Sequence, residues 1–555
     1  MLVGIDVGGT HTDAVLLDDR GVVDSFKVVT DHHNLLTSIH EALAAVTKNT
    51  DKGAVTRINL STTLSTNAIV EDRLEDVGVI VSSGPGIDPE NFRIGNCYVV
   101  IPGSIDHRGT VIKDLDQQEL KQAVKRCSTR GVRVFAAVTK FSTRNPDQEN
   151  EVARHVEELS DFITPGHTIS GNLSFPRRVA TAYYNSAVWR IYNRFADAIQ
   201  ESIRNLGIEA QLNILKADGG TMPFDLARKL PVESILSGPA ASIMGIISLC
   251  DITEDSIILD IGGTTTDIAV FASGAPLLER DGVALNAHRT LVRALQNKSI
   301  GIGGDSALWV SGDSVKAGPH REGPAMANNG NVPTLVDALN VTGAAACGDT
   351  VKSAGGIAEL AKKHGLSSDR LAAQAVACAV DTIKKEADAL LRRIHERPVY
   401  TIHEMLEGTA IVPKKLYIMG GPAQAFSGLL SDTFGMETVT PENYAVANAI
   451  GAAVAKTTFD VELFADTCKG LIVVPNLNIR KRTPRSYSVR EAREDAKQFL
   501  MDYLGALGIG VAESEIEILE SSEFKMVQGY HSSGSDIRVK CQVKPGVVMN
   551  VHGLT

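Results

Sequence analysis

Two short segments of this sequence carry the same set of aspartate, glycine and threonine residues. Residues 5–16 read IDVGGTHTDAVL, and residues 259–270 read LDIGGTTTDIAV. Six pairs of positions recur at one separation of 254 residues: Asp6 and Asp260, Gly8 and Gly262, Gly9 and Gly263, Thr10 and Thr264, Thr12 and Thr266, Asp13 and Asp267. Glycines let a backbone approach a ligand closely, and backbone N–H groups with threonine hydroxyls suit phosphate oxygens. An aspartate directly before such a turn suits the hard cation that accompanies phosphate.

Apolar residues flank each segment, which predicts a strand, a glycine-rich turn and a second strand in both places. A single Asp-x-Gly-Gly-Thr is typical of an ordinary hairpin. Two copies in register, a domain's length apart, favour two related lobes whose hairpins face one nucleotide across a cleft.

The bulk composition excludes several classes of protein. A chain of 555 residues with 43% hydrophobic and 22% charged residues predicts roughly two to four globular domains. The net charge of −11 disfavours a sequence-independent nucleic-acid binder. The first residues lack a basic n-region, and no apolar run approaches the roughly 18 residues of a membrane span. We therefore expect no signal peptide, and neither nucleic acid nor membrane as a partner.

The seven cysteines are scattered along the chain with no close pairs. An odd, unpaired set is typical of a reducing cytoplasm, and it argues against an iron–sulfur or zinc cluster. We therefore expect a cytoplasmic protein.

The predicted elements divide the chain into lobes. Strands up to residues 77–82, in the order β-β-β-α-β-α-β, resemble the ribonuclease-H-like half of the sugar kinase, chaperone and actin superfamily. We predict an α/β fold of duplicated ribonuclease-H-like (actin-like ATPase) lobes around a nucleotide cleft, with a small α+β C-terminal domain. The predicted ranges are 1–235 for the first lobe, about 84–175 for an inserted α/β segment within it, 236–465 for the second lobe and 466–555 for the C-terminal domain. A small-residue helix at residues 237–249 is the predicted joint between the lobes.

Two polar turns in the first lobe are candidates for the site. Thr62 and Thr63 follow a strand and open a helix, so their hydroxyls either cap that helix or line the cleft near the substrate. Asp218 lies in an Asp-Gly-Gly turn after a strand at residues 211–215. Such a turn is usually only a turn, but its place late in the first lobe makes Asp218 a candidate catalytic carboxylate.

Two glycine-rich turns in the second lobe are further candidates. Gly303, Gly304 and Asp305 form a glycine-rich loop. Taken alone it is typical of a plain loop, but in a chain with two predicted phosphate loops it is a candidate for the cleft wall and for a metal contact. Gly420 and Gly421 follow a strand and are typical of a turn. In the superfamily, a Gly-Gly turn at this place lies against adenosine, and the following helix carries Asn448.

Six blocks in order resemble the hydantoinase A/5-oxoprolinase family, including its N-methylhydantoinase A-like members. They lie at residues 4–13, 61–69, 236–242, 260–267, 302–306 and 447–453. The fifth block departs from the family's frequent Gly-Gly-Gly-Ser, because Asp305 stands before Ser306. The resemblance implies ATP-dependent opening of a lactam or hydantoin ring, and some relatives are subunits of ATP-dependent ketone carboxylases.

The resemblance also implies cofactors, partners and residue roles. ATP and Mg²⁺ are the implied cofactors, a cyclic amide is the implied substrate, and a B-type hydantoinase subunit and an oligomeric assembly are the implied partners. The implied nucleotide contacts are Gly8, Gly9, Thr10, Thr12, Gly262, Gly263, Thr264, Thr265, Gly303, Gly304, Gly420, Gly421 and Asn448. The implied metal contacts are Asp6, Asp260 and Asp305, and the implied catalytic residues are Asp6, Asp260, Asp218, Thr62 and Thr63.

Three other functions remain open from the residues. A small-molecule kinase would leave phosphate on a stable product, whereas a cyclic amidohydrolase would open a ring. A chaperone-like ATPase would energise a partner enzyme and respond to a protein. A catalytically silent subunit is disfavoured because both Asp-x-Gly-Gly-Thr turns are intact.

Overall fold

The computed structural model describes residues 1–31, 34–279, 282–312, 314–396, 410–528 and 531–553. Within these ranges, every helix is too short or too polar to cross a lipid bilayer.

The first sheet has six strands around the strand Leu2–Val7. This strand pairs antiparallel with His11–Asp18 and parallel with Arg57–Thr62. The order across the sheet is Thr221–Pro223, Gln211–Leu215, Arg57–Thr62, Leu2–Val7, His11–Asp18 and Gly21–Val29. Side chains of alternate residues point to opposite faces of a strand, and the helices Leu35–Val46 and Phe175–Asn205 contribute to the core that covers one face.

The second sheet repeats the central part of the first. Ser256–Ile261 pairs antiparallel with Thr266–Ala272 and parallel with Lys415–Met419. The order is Ala275–Pro276, Thr266–Ala272, Ser256–Ile261, Lys415–Met419 and Glu437–Val439, with Asn297–Ile300 also paired to Thr266–Ala272. The long helix Ser368–His395 packs on this sheet through its buried apolar residues. The prediction of a mixed α/β fold is confirmed.

The inserted segment contains a parallel sheet of four strands. Its order is Phe162–Pro165, Val134–Thr139, Val77–Ser82 and Cys97–Val100. The strand Val77–Ser82, which we predicted in the first lobe's sheet, therefore belongs to the insert. All six of its residues are buried, as in a central parallel strand, but burial on both faces does not identify the sheet that a strand joins.

Cys97 and Cys127 form a disulfide in the inserted segment. The bond joins the strand Cys97–Val100 to the helix Gln117–Ser128, across a sequence separation of 30 residues. The expectation that all cysteines are unpaired is therefore wrong for these two, because a spacing of this length gives no sign of proximity in the fold.

The C-terminal sheet has five antiparallel strands with one helix packed against it. The order is Ile479–Arg482, Leu471–Val474, Asp460–Asp466, His531–Val543 and Ile516–Gln528, and the helix is Val489–Ala506. The central strand starts at Asp460, ahead of the predicted start of this domain at residue 466. Ser488 and Glu491 form a capping box that fixes the first turn of the helix.

Two small-residue helices pack between the first and second sheets. The helices are Ser237–Leu249 and Ala447–Val454, and they cross at two glycines. A Cβ on Gly245 would clash with the Ala447 backbone, and a Cβ on Gly451 would clash with the Ala241 backbone. Ala447–Val454 also packs on the first sheet, where Gly4 leaves no room for a side chain beside Ala449 and Ala453. The helix Ser237–Leu249 thus packs closely through its small residues, and its role as a joint between lobes stays a prediction.

Shorter elements complete the described part of the chain. The further helices are Leu64–Val70, Asp147–Val156, Gly166–Ile169, Phe224–Ala227, Leu335–Thr342, Thr350–Lys363 and Ala423–Phe434. The further strands are Ser104–Ile105, Val111–Lys113, Leu278–Glu279, Ala284–Leu285, His288–Arg289, Ala294–Leu295, Leu308–Ser311 and Ser314–Ala317.

Candidate functional site

The repeated motif builds the same hairpin twice. The Gly8 N–H donates to the His11 carbonyl at 3.0 Å, and the Gly262 N–H donates to the Thr265 carbonyl at 2.9 Å. In each hairpin the two aspartates stand opposite one another, Asp6 across from Asp13 and Asp260 across from Asp267. The sequence repeat is therefore also a repeat of backbone geometry.

The two hairpins face one another and touch at their tips. A Cβ on Gly9 would lie 3.5 Å from Thr264 Oγ1. A Cβ on Gly263 would lie 2.9 Å from Thr10 Cγ2, which is closer than side chains normally approach. The close approach at Gly263 explains why the second hairpin needs glycine there.

The aspartates Asp6 and Asp260 lie on either side of one amide. Asn448 Nδ2 is 3.4 Å from Asp6 Oδ2 and 3.1 Å from Asp260 Oδ2, so it bridges a carboxylate of each lobe. The Ser242 hydroxyl donates to Asp260 Oδ2 at 2.6 Å. Asp6 Oδ1 is buried and, within the described residues, has no hydrogen-bond partner. This arrangement leaves one acceptor of the pair unused.

The structure changes the predicted role of Asn448, and it adds Ser242, which the sequence analysis does not identify as a site residue. Asn448 was predicted to contact adenosine, but its side-chain amide lies on the carboxylates instead. Ser242 was noted only as part of a small-residue helix. Its place in one of the six family blocks is the signal that marks it.

Burial and repulsion between neighbouring carboxylates raise the pKa values of two aspartates in this region. Burial raises the pKa of Asp6 to about 7, and the Asp13 and Asp260 carboxylates add to the rise. Burial also raises the pKa of Asp267 to about 7, with a further contribution from Asp260. Like charges in a buried place oppose ionisation, and a bound cation would reverse that effect. The region is therefore suited to a cation.

Asp13 differs from its counterpart in the second lobe. Burial raises its pKa, but Lys27 Nζ lies 2.7 Å from Asp13 Oδ1 and opposes the rise. The Oδ1 atoms of Asp13 and Asp267 are both buried without a hydrogen-bond partner among the described residues, but no basic side chain there contributes to the pKa of Asp267. The first hairpin is thus braced by an ion pair at its base.

The loop at residues 301–306 supports the second hairpin. The N–H groups of Gly304 and Asp305 donate to the Gly262 and Gly263 carbonyls at 2.9 and 2.6 Å, and the Gly303 N–H donates to Ser306 Oγ at 2.9 Å. These amides are therefore occupied within the protein. The prediction that Gly303 and Gly304 bind the nucleotide is corrected to a bracing role.

Asp305 is held by protein groups and not left free for a metal ion. Arg321 Nη2 lies 3.2 Å from Asp305 Oδ2, and the Ala325 N–H donates to Asp305 Oδ1 at 3.2 Å. An arginine already neutralises this carboxylate. We therefore withdraw Asp305 as a metal contact.

Two predicted threonine contacts have structural roles. Thr12 is fully buried, and its hydroxyl lies 3.1 Å from Thr30 Oγ1 beneath the first hairpin. Thr62 is also fully buried, and its hydroxyl accepts from the Leu64 N–H at 3.2 Å, which is a local cap. Neither hydroxyl is accessible to a ligand. The assignments of Thr12 to phosphate and of Thr62 to catalysis are therefore corrected.

Thr63 remains beside the first hairpin. Its side chain is partly exposed, and its hydroxyl lies 3.4 Å from the Val7 carbonyl, next to Gly8. Asn67 Nδ2 approaches the same hydroxyl at 3.3 Å. Of the predicted pair, Thr63 is thus the one that can contact a ligand.

Asp218 forms a buried ion pair. Lys216 Nζ lies 3.0 Å from Asp218 Oδ2, and the Gly220 N–H donates to Asp218 Oδ1 at 2.9 Å. Thr458 approaches the same carboxylate at 3.3 Å. A carboxylate satisfied in this way fixes the turn, so its prediction as a catalytic base is corrected.

The turn at Gly420 and Gly421 lies directly beside the second hairpin. Gly420 has a φ of 96°, and a Cβ there would lie 2.7 Å from Asp260 Oδ1. Gly421 is exposed, with open space around the position of a Cβ. Glycine is therefore required at Gly420 by conformation and by space, whereas Gly421 leaves an open approach.

Cavities elsewhere do not involve the hairpins. A cavity of about 720 Å³ is lined by residues that include Val22 of the first sheet and Lys415 and Tyr417 of the second. None of its lining residues belongs to either hairpin. Within the described residues, no group of three or more His, Cys, Asp or Glu side chains is placed to hold a metal ion.

The chain matches two family models over most of its length. The model described as Hydantoinase/oxoprolinase matches residues 178–461, and the model of the Hydantoinase/oxoprolinase N-terminal region matches residues 2–160. Together the two matches contain both hairpins, Ser242 and Asn448.

Individual relatives agree with the family match. The caprolactamase subunit alpha of Pseudomonas jessenii is 27% identical in an alignment of 376 residues. The alignment covers 60% of this chain and 53% of that one, so the match spans about half of the relative. The crystal structure of the ATP-dependent caprolactamase from Pseudomonas jessenii has a TM-score of 0.71 at 20% identity, covering 97% of this chain and 87% of that chain. The nucleotide-free structure of acetone carboxylase has a TM-score of 0.70 at 17% identity, covering 98% of this chain and 87% of that chain.

Proposed function

This chain belongs to the hydantoinase/oxoprolinase family, and from that premise we propose that it is the ATP-using part of an enzyme that opens a cyclic amide. The ring would be of the hydantoin or 5-oxoproline type, activated by phosphoryl transfer to its carbonyl oxygen. The observation that carries the proposal is the pair of carboxylates on two facing glycine hairpins, bridged by the Asn448 amide.

A lactam needs activation because amide resonance makes its carbonyl carbon a poor electrophile. ATP with Mg²⁺ would transfer a phosphoryl group to the carbonyl oxygen and leave as ADP, giving an imidate phosphate. Water would attack its carbon, the C–N bond would break with the protonated ring nitrogen leaving, and a second water would hydrolyse the resulting acyl phosphate to the open-chain acid and phosphate. The protein's task is then mainly to position the reactants and to balance charge. Two facing hairpins with backbone amides and threonine hydroxyls suit that task.

The residues present fit a magnesium-bound triphosphate. Asp6 Oδ1 is a buried acceptor without a partner in the described part of the chain, so it is available to a cation or to the water around it. Magnesium is commonly held by one or two carboxylates together with phosphate oxygens, and Asp6 and Asp260 provide such a pair. Ser242 and Asn448 would hold the two carboxylates in place.

Each remaining site residue has a proposed role. Thr63 would lie near the ring substrate, and Gly420 and Gly421 would lie against adenosine. The N–H groups of Gly8 and Gly262 close the two turns, so these glycines would serve by allowing phosphate a close approach. The other proposed phosphate contacts are Gly9, Thr10, Gly263, Thr264 and Thr265.

The proposal includes the architecture and a partner. We propose that the two sheets with matching hairpins are duplicated ribonuclease-H-like, actin-like ATPase lobes, with residues 460–553 as an added domain. The caprolactamase relative is named as a subunit, and this chain spans about half of it. A separate B-type chain, within an oligomer, would then complete ring hydrolysis.

The test is an assay of ATP turnover and ring opening. The purified chain would be given Mg²⁺-ATP with hydantoins, 5-oxoproline and lactams, alone and with a B-type subunit. We expect one class of ring to stimulate phosphate release and to yield an open-chain acid. A stable phosphorylated product would instead indicate a kinase, and turnover only with a ketone and bicarbonate would indicate a carboxylase subunit.

Asp260→Asn is the matching variant. It removes the charge of one carboxylate, and we expect at least a hundredfold loss of ATP turnover in a chain that still folds. Asp19→Asn, at an exposed turn, is the control and should keep full turnover. Wild-type turnover in a folded Asp260→Asn variant would refute the assignment.

A further inference from the structure

A cavity between the inserted segment and the C-terminal sheet contains two arginines whose donors are not fully used. Its volume is about 140 Å³, and its lining includes Arg144, Phe464 and Arg538. None of its lining residues belongs to the two hairpins or to the turn at Gly420. The proposed function gives this cavity no role.

Arg144 is buried, with 4% of its surface exposed. Its guanidinium carbon lies 3.4 Å from the centroid of the Phe464 ring, so one face of the group stacks on the ring. Its Nε is buried and has no hydrogen-bond partner within the described residues. Because stacking uses the face of the guanidinium, the N–H donors in its plane remain available.

Arg538 adds a second guanidinium to the same cavity. Its Nε is also buried without a hydrogen-bond partner among the described residues, and it lies 3.7 Å from Asp536 Oδ1, which is too far for a hydrogen bond. Burial lowers the pKa of Arg144 to about 9, and the charge of Arg538 contributes to that shift. The two cations are thus close enough to repel one another.

Most of the other charged groups at the cavity form ion pairs or hydrogen bonds with residues other than the two arginines. Lys540 Nζ lies 3.0 Å from Glu462 and 3.1 Å from Asp460. The Ser170 hydroxyl donates to Glu462 at 3.2 Å. Glu520 is exposed and stands at the rim. The unused hydrogen-bond donors therefore belong to the arginines, and Asp536 is an ion-pair partner of Arg538 at 3.7 Å.

We propose that this cavity binds a small carboxylate through Arg144 and Arg538. Arg144 is a buried cation with no carboxylate hydrogen-bonded to it among the described residues, which is costly, and an anion from solution removes that cost. Arg538 is more exposed and would add a second contact to the anion. The planar fork of a guanidinium matches a carboxylate in two parallel hydrogen bonds. Pockets for drug-sized ligands are larger, roughly 300–1,000 Å³, so a cavity of this size suits a molecule of a few heavy atoms.

Equilibrium dialysis with ¹⁴C-acetate tests the proposal on the full chain. The wild-type chain should bind one acetate saturably, at fixed ionic strength set with chloride. Arg144→Met and Arg538→Met should each weaken that binding at least tenfold. Arg93→Gln, which changes an exposed arginine paired with Glu90, should bind as the wild type does.

Stability without ligand separates a binding role from a structural one. If Arg144 serves a ligand, Arg144→Met removes an unmatched buried charge, so the melting temperature without acetate should equal or exceed that of the wild type. Added acetate should raise the melting temperature of the wild type and not that of the variant. If Arg144→Met fails to fold, Arg538→Met, on a more exposed side chain, provides the same comparison.

Three results would overturn the proposal. They are an absence of saturable acetate binding up to 50 mM (about fiftyfold above an assumed Kd of roughly 1 mM), unchanged binding in both methionine variants, and binding of inorganic phosphate without binding of acetate. The last result would mean that the site selects a tetrahedral oxyanion and not a carboxylate.

Discussion

At the scale of single residues, the site depends on how a few hydrogen bonds hold two carboxylates. Asp260 receives a short bond from Ser242 and a longer one from Asn448, at 2.6 and 3.1 Å. Asp6 shares the same amide at 3.4 Å and keeps one acceptor unused. The two hairpins therefore bring together a pair of carboxyl groups that protein groups position only in part.

Ser242→Ala tests the positioning of Asp260. A hydrogen bond to a charged group contributes about 1.5–3 kcal/mol, so its loss should lower the maximal rate of ATP hydrolysis by roughly ten- to a hundredfold. Steady-state kinetics would separate the maximal rate from KM. Ser256→Ala, at a buried serine that donates to the Glu254 carbonyl, is the control and should leave the rate unchanged. A Ser242→Ala enzyme with wild-type kinetics would contradict the role of Ser242.

Glu233 predicts a dependence of stability on pH. Burial raises its pKa from 4.5 to about 7. The folded state therefore holds the proton more tightly, so this contribution to stability is complete below pH 4.5 and is lost as the pH rises to about 7. Relative to Glu233→Gln, the free energy of unfolding of the wild type should fall by up to about 3 kcal/mol across that window. Urea unfolding at several pH values measures the difference, and parallel curves for the two chains would disprove it.

At the scale of elements, glycines set the distance between two helices where they cross. The helices Ser237–Leu249 and Ala447–Val454 approach until Gly245 and Gly451 contact the opposing backbone. The second helix carries Asn448 on one side and abuts the first sheet at Gly4 on the other. The position of the bridging amide therefore depends on this packing.

Gly245→Ala should destabilise the protein. Its Cβ would lie 2.8 Å from the Ala447 carbonyl carbon, and overpacking of this kind costs about 1–3 kcal/mol. Gly428→Ala is a matched control in the helix Ala423–Phe434, where a Cβ meets open space. That substitution should raise the free energy of unfolding by about 0.5–1 kcal/mol. Equal effects of the two substitutions in urea unfolding would show that the crossing is not tightly packed.

At the scale of the whole molecule, long-range polar contacts join the parts. Arg57 Nη2 donates to the Ala455 carbonyl at 2.8 Å, and Asn59 Nδ2 donates to the Ala452 carbonyl at 2.8 Å. Both contacts run from the first sheet to the C-terminal end of the helix Ala447–Val454. The inserted segment contacts the C-terminal sheet separately, through Arg108 and Asp466.

Asp466→Asn tests the contact between the insert and the C-terminal sheet. Arg108 Nη2 and Nε lie 2.8 and 3.0 Å from Asp466 Oδ2, and the Asp466 side chain is 2% exposed. The Arg108 side chain is 35% exposed, so solvent screens the charge left unpaired, and the substitution should cost about 1–3 kcal/mol, which denaturant unfolding would detect. Glu71→Gln breaks an exposed pair with Arg73 and should change stability by less than about 1 kcal/mol. Similar values for both variants would mean that the Asp466 pair is not a buried link.

The sequence alone determined the family, the mixed α/β fold and the two hairpins, because these follow from local patterns and from a repeat at one fixed separation. It also brought Asp6, Asp260, Gly263 and Thr10 into one proposed site, since related lobes place equivalent hairpins equivalently.

Only the tertiary structure decided which polar residues are free and which are already engaged. In the structure, contacts within the protein engage Thr12, Thr62, Asp218 and Asp305. The Asn448 amide lies between the carboxylates of Asp6 and Asp260. The tertiary structure also assigned Val77–Ser82 to the inserted sheet and joined Cys97 to Cys127. Each of these depends on partners far away in the chain, and a local pattern carries no information about which distant residue will satisfy a buried polar group or pair with a strand.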